Sequence, residues 1–430
     1  MAGDRHRPGT RTPGDTTMQM PSSKKTGATV LAATLLALGS PLAATAATTT
    51  ATATTTPRPS AYTEHTLRED LAAVRKAGGG DVNVLARVDR PNGRPLMARI
   101  GTRTADSTAP VPWNAHFRVA STTKTFVATV VLQLVAEKRL SLADTVEHWL
   151  PGVVEGNGND GSRITVRDLL RQTSGLYDYI DDPEIQDALI NHFDENRYDT
   201  TPAADLVAVA MKHRPVFVPQ PGGPTRWAYS NTNYLLAGMI AEKAGGASWQ
   251  DLVAHRVIAK LGLRNTSIPG LNPFLPDPHV NAYLTTADGK RLDVTEHSYQ
   301  HTADSGVVST TADLNTFFRA LADGRLLPAE QWREMRQTVE RTDDPEDVAE
   351  MPEGTYGLGL RKIPLSCGGF YYAHEGDGAG VNTRPAVSAD GRRAVTVSLT
   401  TTTAPPDLAA LNRATGTLVD HALCEQPAKR

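Results

Sequence analysis

The stretch Phe117-Arg118-Val119-Ala120-Ser121-Thr122-Thr123-Lys124, with the apolar run that begins at Phe126, decides how this chain is read. A short strand, a serine that opens a helix and the apolar helix itself follow one another there. The serine stands three residues before a lysine, and on a helix that spacing puts both side chains on nearly one face, within hydrogen-bonding reach. A hydroxyl is a weak nucleophile at neutral pH and needs an adjacent base. A lysine serves as that base only where desolvation or nearby positive charge depresses its pKa. The helix N-terminus supplies positive potential, and its amides can stabilise an oxyanion. Ser121 is therefore a candidate nucleophile and Lys124 its proton acceptor, with a helix N-cap as the alternative for Ser121. Alone the four-residue pattern is weak. It arises about once by chance in a chain this long, and a second copy runs from Ser22 to Lys25.

Two further groupings have the chemistry such a pair needs. Trp227-Ala228-Tyr229-Ser230-Asn231 contains the only Tyr-x-Asn of the chain, directly before a helical stretch. A phenol beside Ser and Lys can relay a proton to a leaving group, and an amide can hold the lysine and a substrate carbonyl. His374-Glu375-Gly376 is the only His-x-Gly and ends a strand-like run. His374 would point into a cleft, and Gly376 would let substrate approach the backbone. The amides of Ser121 and Asp377 then become the two candidate oxyanion donors. A buried tyrosine near an Asn cap, and an edge strand with an incidental histidine, are the structural alternatives.

Working outward, apolar spacing predicts a helix over 62–77 and strands over 82–88 and 96–100, joined through Asn92-Gly93. Helical patterns follow over 126–137, 166–171, 203–212, 232–243 and 249–261. A helix over 312–321 precedes strands over 369–374, 381–388 and 393–400, and an amphipathic helix over 406–423 closes the pattern. The expected fold class is α+β: an antiparallel sheet built from both ends of the chain, flanked by helices, with an inserted all-helical domain. The sheet domain would comprise 62–125 and 305–424 and the helical domain 126–304, with the active site at their junction.

At 430 residues with net charge -3, the chain can bury a large core and has no basic run suited to nucleic acid. Lys24 and Lys25, an apolar run over 28–38 and Ala44-Thr45-Ala46 make a signal-peptide layout over 1–46, with cleavage expected after Ala46. A Thr/Ala-rich linker over 47–61 and a polar tail over 425–430 flank the folded part. The expectation is a secreted monomer with no transmembrane anchor in the mature chain. Cys367 and Cys424 are the only cysteines. An oxidising exterior would let them form a disulfide, and two separate thiols also fit the count.

Taken together the motifs resemble those of the penicillin-recognising serine hydrolases, in the branch of secreted D-alanyl-D-alanine carboxypeptidases, class C β-lactamases and related esterases. The resemblance runs over 62–423 and includes Ile164-Thr165-Val166-Arg167-Asp168-Leu169-Leu170-Arg171-Gln172-Thr173-Ser174-Gly175-Leu176. It implies a β-lactamase/transpeptidase-like fold, Ser121 as the acylated residue, Lys124 and Tyr229 in proton transfer, and Asn231, His374 and Gly376 at the substrate. It implies no metal and no cofactor. The histidine form of the third motif, and Tyr356-Gly357-Leu358-Gly359-Leu360-Arg361, resemble the carboxypeptidases, where the arginine binds the substrate carboxylate. Glu375 and Asp377 depart from that pattern, since two carboxylates would repel an anionic terminus. The expected function is a carboxypeptidase-like serine hydrolase acting on a small peptide, cell-wall peptide being one candidate. The alternatives are an esterase or β-lactamase-like enzyme, taking ester or β-lactam, and a slowly deacylating penicillin-binding sensor.

Overall fold

Val82, Val84, Ala86 and Val88 share one face of the strand Val82–Asp89, because side chains alternate along a strand, and each is almost fully buried. Across the ladder they meet Thr401, Leu399, Val397 and Val395 of Ala394–Thr401 in antiparallel register. An early and a late segment of the described chain are joined here. The computed structural model describes residues 62–220, 225–286, 289–339, 355–402 and 407–424, so the expected signal peptide, linker and tail lie outside the described residues.

From this pair an eight-stranded sheet extends in the order Leu96–Ile100, Val82–Asp89, Ala394–Thr401, Val381–Ser388, Phe370–Ala373, Arg361–Pro364, Thr355–Tyr356, with Gly376–Gly378 also paired to Val381–Ser388. Every pairing is antiparallel. Helices Glu64–Ala77 and Leu408–Leu423 cover one face. The first is capped by Thr63 and buries Leu67, Leu71 and Val74, a helical stripe at i, i+4 and i+7. The other face takes helix Thr311–Ala322, whose Asn315 accepts from Thr396 Oγ1 at 2.7 Å and donates to Arg87 O at 3.1 Å. The fold is therefore α+β, of the β-lactamase/transpeptidase type.

Helix Thr123–Ala136 is buried from Thr123 to Leu134, and a helix wrapped on all sides must lie inside the protein. Thr232–Gly245 and Trp249–Val253 pack on it, and Val166–Arg171 and Ala203–Met211 pack in turn on Thr232–Gly245. Its Phe126 stacks on Phe317 at 3.8 Å between ring centroids, so the helical segment and the sheet share a continuous core.

Strands Thr355–Tyr356, Arg361–Pro364 and Gly376–Gly378 were not anticipated from sequence. They are two to four residues long, too short for an alternating pattern to be read, and take shape through their ladder partners. Among the described residues no helix is long and apolar enough to cross a membrane.

Cys367 and Cys424 form a disulfide with Cα atoms 5.7 Å apart, tying the turn after Arg361–Pro364 to the end of the last helix across 57 residues of sequence. Closing a loop of that length restricts the unfolded chain. Replacing both cysteines by serine should lower the unfolding free energy by ~4 kcal/mol. Urea titration under non-reducing conditions measures it, and a change below ~1 kcal/mol would contradict the loop argument.

Candidate active site

The nucleophile turn begins on strand Phe117–Arg118, which pairs with Val308–Ser309. Val119 N then donates to Val307 O at 3.0 Å, and Ala120 adopts a φ of 46°. A left-handed alanine is strained by ~1–3 kcal/mol and persists where the surroundings enforce it. It bends the chain so that Ser121 stands in a single 3₁₀ turn, Ala120–Thr122, ahead of the long helix. Thr122, not Ser121, occupies the helix N-cap position, so the capping alternative for Ser121 does not describe this turn.

Lys124 is fully buried. Its Nζ lies 2.9 Å from Ser121 Oγ, 2.6 Å from Asn231 Oδ1 and 3.2 Å from Asp304 O. Burial pushes its pKa down, against the opposing pull of the Asp304 and Asp178 carboxylates. An amine so placed can take the hydroxyl proton once it is neutral. The nitrogen also sits 5.0 Å from the centre of the Tyr229 ring, and the Tyr229 hydroxyl interacts with the Ser121 side chain. Burial, reinforced by Tyr356, pushes Tyr229 well above the ordinary phenol value, so it stays protonated and can donate.

Asp178 was missed from sequence, although it lies two residues beyond the Leu176 that closes the quoted motif. It is 8% exposed and accepts from both the backbone and the side-chain amide of Asn231, at 2.9 and 2.8 Å. Burial pushes its pKa up, and amide donation from Asn231 and Ile180 pulls it back. No residue pattern announces such a carboxylate, because its partner is 53 positions away.

On the opposite wall, His374 Nδ1 is 2.8 Å from Glu375 O, and its Nε2 is 2.8 Å from Tyr356 OH. A carbonyl only accepts, so Nδ1 carries the proton and Nε2 accepts from the phenol. Burial and the Lys124 charge push the imidazole down to about 4, which keeps it neutral at physiological pH. Thr122 Oγ1 donates to His374 O at 2.8 Å, fastening this wall to the nucleophile turn. Gly376 sits against the same turn so closely that an added Cβ would lie 1.9 Å from Val119 O.

The two acidic departures are both paired. Arg361 is 6% exposed and its Nη1 lies 2.5 Å from Glu375 Oε1. Burial alone would raise the Glu375 pKa, but Arg361 outweighs it and holds the carboxyl well below the usual range. Arg384 Nη2 lies 2.8 Å from Asp377 Oδ1. Arg361 was expected to present its guanidinium to a substrate carboxylate. In the structure its Nη1 is paired with Glu375, which lies in the short link between strands Phe370–Ala373 and Gly376–Gly378. Asp377 follows Gly376 along the strand beside the turn, where its amide was expected as a second oxyanion donor. Ser121, Lys124, Tyr229, Asn231, His374 and Gly376 are thus gathered around one point. Cys367 and Cys424 serve the sheet instead. Among the described residues no group of three or more His, Cys, Asp or Glu could hold a metal ion.

A family model described as "Beta-lactamase" matches residues 70–419. Among solved structures, a D-stereospecific amidohydrolase from Streptomyces sp. is 38% identical, covers 80% of this chain and 97% of its own, and superposes with a TM-score of 0.70. Among curated proteins, penicillin-binding protein 4* of Bacillus subtilis (strain 168) is 28% identical over 49% of this chain. A beta-lactamase of Pseudomonas fluorescens is 25% identical over 58% of it. The matched region spans 46% of the length of the first and 62% of the second.

Gly376→Ala should lower acylation of Ser121 by about a hundredfold, since roughly an ångström of displacement in a reacting site costs that much. Stopped-flow measurement of the acylation burst with a chromogenic ester reads it. A rate within twofold of the parent would mean that the strand is not held against the turn.

Proposed function

This chain belongs to the beta-lactamase family of serine hydrolases, and on that premise we propose that it hydrolyses an amide bond beside a D-configured residue through an acyl-enzyme on Ser121. Ser121 Oγ attacks the carbonyl and Lys124, as a neutral amine, accepts the proton. The amides of Ser121 and Asp377 stabilise the oxyanion. Tyr229 passes a proton to the departing nitrogen, and water then releases the acid from the serine. Amide plus water becomes acid plus amine, and no cofactor enters the balance.

The pairing of Arg361 with Glu375 carries the choice of substrate. A substrate ending in a carboxylate needs a cation in a cleft of low dielectric. The guanidinium suited to that task is occupied by Glu375, and Asp377 is matched to Arg384. A neutral amide needs no such partner. The 38% identity to the Streptomyces D-stereospecific amidohydrolase, over nearly all of that chain, supports the stereochemistry. The D-alanyl-D-alanine carboxypeptidase remains the second reading, favoured by the position of Arg361 opposite Ala373, beside His374. The lysine pair and apolar run ahead of Ala46 support export as the setting.

One purified preparation assayed on D-alanine amide, L-alanine amide, a D-Ala-D-Ala peptide, the same peptide capped as an amide, a short ester and a cephalosporin tests the proposal. The D-amide and capped peptide should exceed the L-amide and free-acid peptide by about a hundredfold in kcat/KM, and Ser121→Ala should remove the activity. Preference for the free-acid peptide would overturn the amidohydrolase in favour of the carboxypeptidase.

The same chemistry sets a pH dependence. Burial lowers the Lys124 pKa, and only the neutral amine accepts a proton, so kcat/KM should rise with pH on a limb whose midpoint lies clearly below the ordinary lysine value of about 10.4. Lys124→Arg keeps the charge and should abolish acylation with the fold retained by circular dichroism. A limb at the ordinary value, or near-parental acylation in that variant, would place the base elsewhere.

A further inference from the structure

We propose that Asp178 is a positioning residue for the base, fixing the orientation of Asn231 and setting the charge against which Lys124 gains and loses its proton. The proposal rests on the Ser121–Lys124 reading above. A carboxylate only accepts hydrogen bonds. The group of Asn231 that lies 2.8 Å from Asp178 Oδ2 must therefore be its NH₂, which turns Asn231 Oδ1 toward Lys124 Nζ at 2.6 Å. Asp178, Asn231 and Lys124 form one line from a buried anion to the base.

The anion is itself rigidly held. Its Oδ1 accepts from Ile180 N at 3.2 Å, and Oδ2 also accepts from Asn231 N at 2.9 Å. The residues on either side are clamped to the start of helix Thr232–Gly245: Thr232 Oγ1 donates to Tyr177 O at 2.8 Å and accepts from Tyr179 N at 3.0 Å. A side chain flanked by two such clamps has little freedom to turn, as a preorganised site requires. With a neutral amide at 178, residue 231 could present its own NH₂ to Lys124, where it would oppose the ammonium.

Among the other groups around Lys124, the Asp304 carboxylate shares the electrostatic part of this role and raises the lysine pKa more than Asp178 does, but its own partners are Tyr179 and Thr302 and it does not hold Asn231. Ser121 is neutral, and Tyr229 and Tyr234 present ring faces at 5.0 and 5.8 Å. His374 is held neutral by burial and faces Lys124 from the strand side. Asp304 offers Lys124 its carbonyl, while its carboxylate accepts from Tyr179 OH at 3.2 Å and Thr302 Oγ1 at 2.5 Å. Asp181 acts on Asp178 and raises its pKa. Removing the negative charge at 178 makes the protonated amine less stable, so the pKa of Lys124 falls and its neutral form persists to lower pH.

The test is the pH profile of Ser121 acylation by a chromogenic ester in the parent, Asp178→Asn and Asp178→Glu. In Asp178→Asn the acid limb should move down by roughly one pH unit while the plateau falls by about tenfold or more, and Asp178→Glu should keep the limb near the parental position. A residue that only supports the fold would lower the rate at every pH and leave the limb in place, so an unmoved limb in Asp178→Asn overturns the proposal. If Asp178→Asn does not fold, Asp178→Ser, uncharged but still able to accept from Asn231, decides by the same shift. Acylation that survives Ser121→Ala would instead overturn the nucleophile assignment, a separate result.

Discussion

A lysine amine with no exposure to solvent, ringed by a serine hydroxyl, an Asn carbonyl oxygen and a backbone carbonyl, is the constraint around which this molecule is arranged. Burying such a group is unfavourable by several kcal/mol unless its donors are matched. The three acceptors come from three separate parts of the chain, so the nucleophile turn, the loop ending at Asn231 and the segment at Asp304 must all reach their places together. The strain at Ala120 and the close contact of Gly376 with Val119 O are further parts of the same arrangement.

The charge balance of the opposite wall follows a parallel logic. Glu375 and Asp377 each acquire an arginine, and His374 is kept neutral between a carbonyl and a phenol. The result is a wall that is polar but nearly balanced in charge. Such a wall discriminates by hydrogen bonds and shape more than by net attraction.

Legibility from sequence followed the length of the element. Helices such as Val166–Arg171 and Thr232–Gly245, and strands such as Val381–Ser388, show their period and were found within a residue or two. Strands of two to four residues, Thr355–Tyr356 and Arg361–Pro364 among them, have no period to read. In the site, Ser121, Lys124, Tyr229, Asn231, His374 and Gly376 stood out because each belongs to a short motif. Asp178, Asp304 and Arg384 did not, since their importance comes from partners far away in the chain.

By itself the sequence determined the α+β architecture and the candidate reacting groups, because periodicity and short-range spacing are written locally. The tertiary structure alone decided the state of those groups. It buried Lys124, set Asp178 behind Asn231 and turned Arg361 onto Glu375. Desolvation and pairing of charge depend on what lies within a few ångströms in space, and residues 53 or 14 positions apart come that close only once the chain has folded.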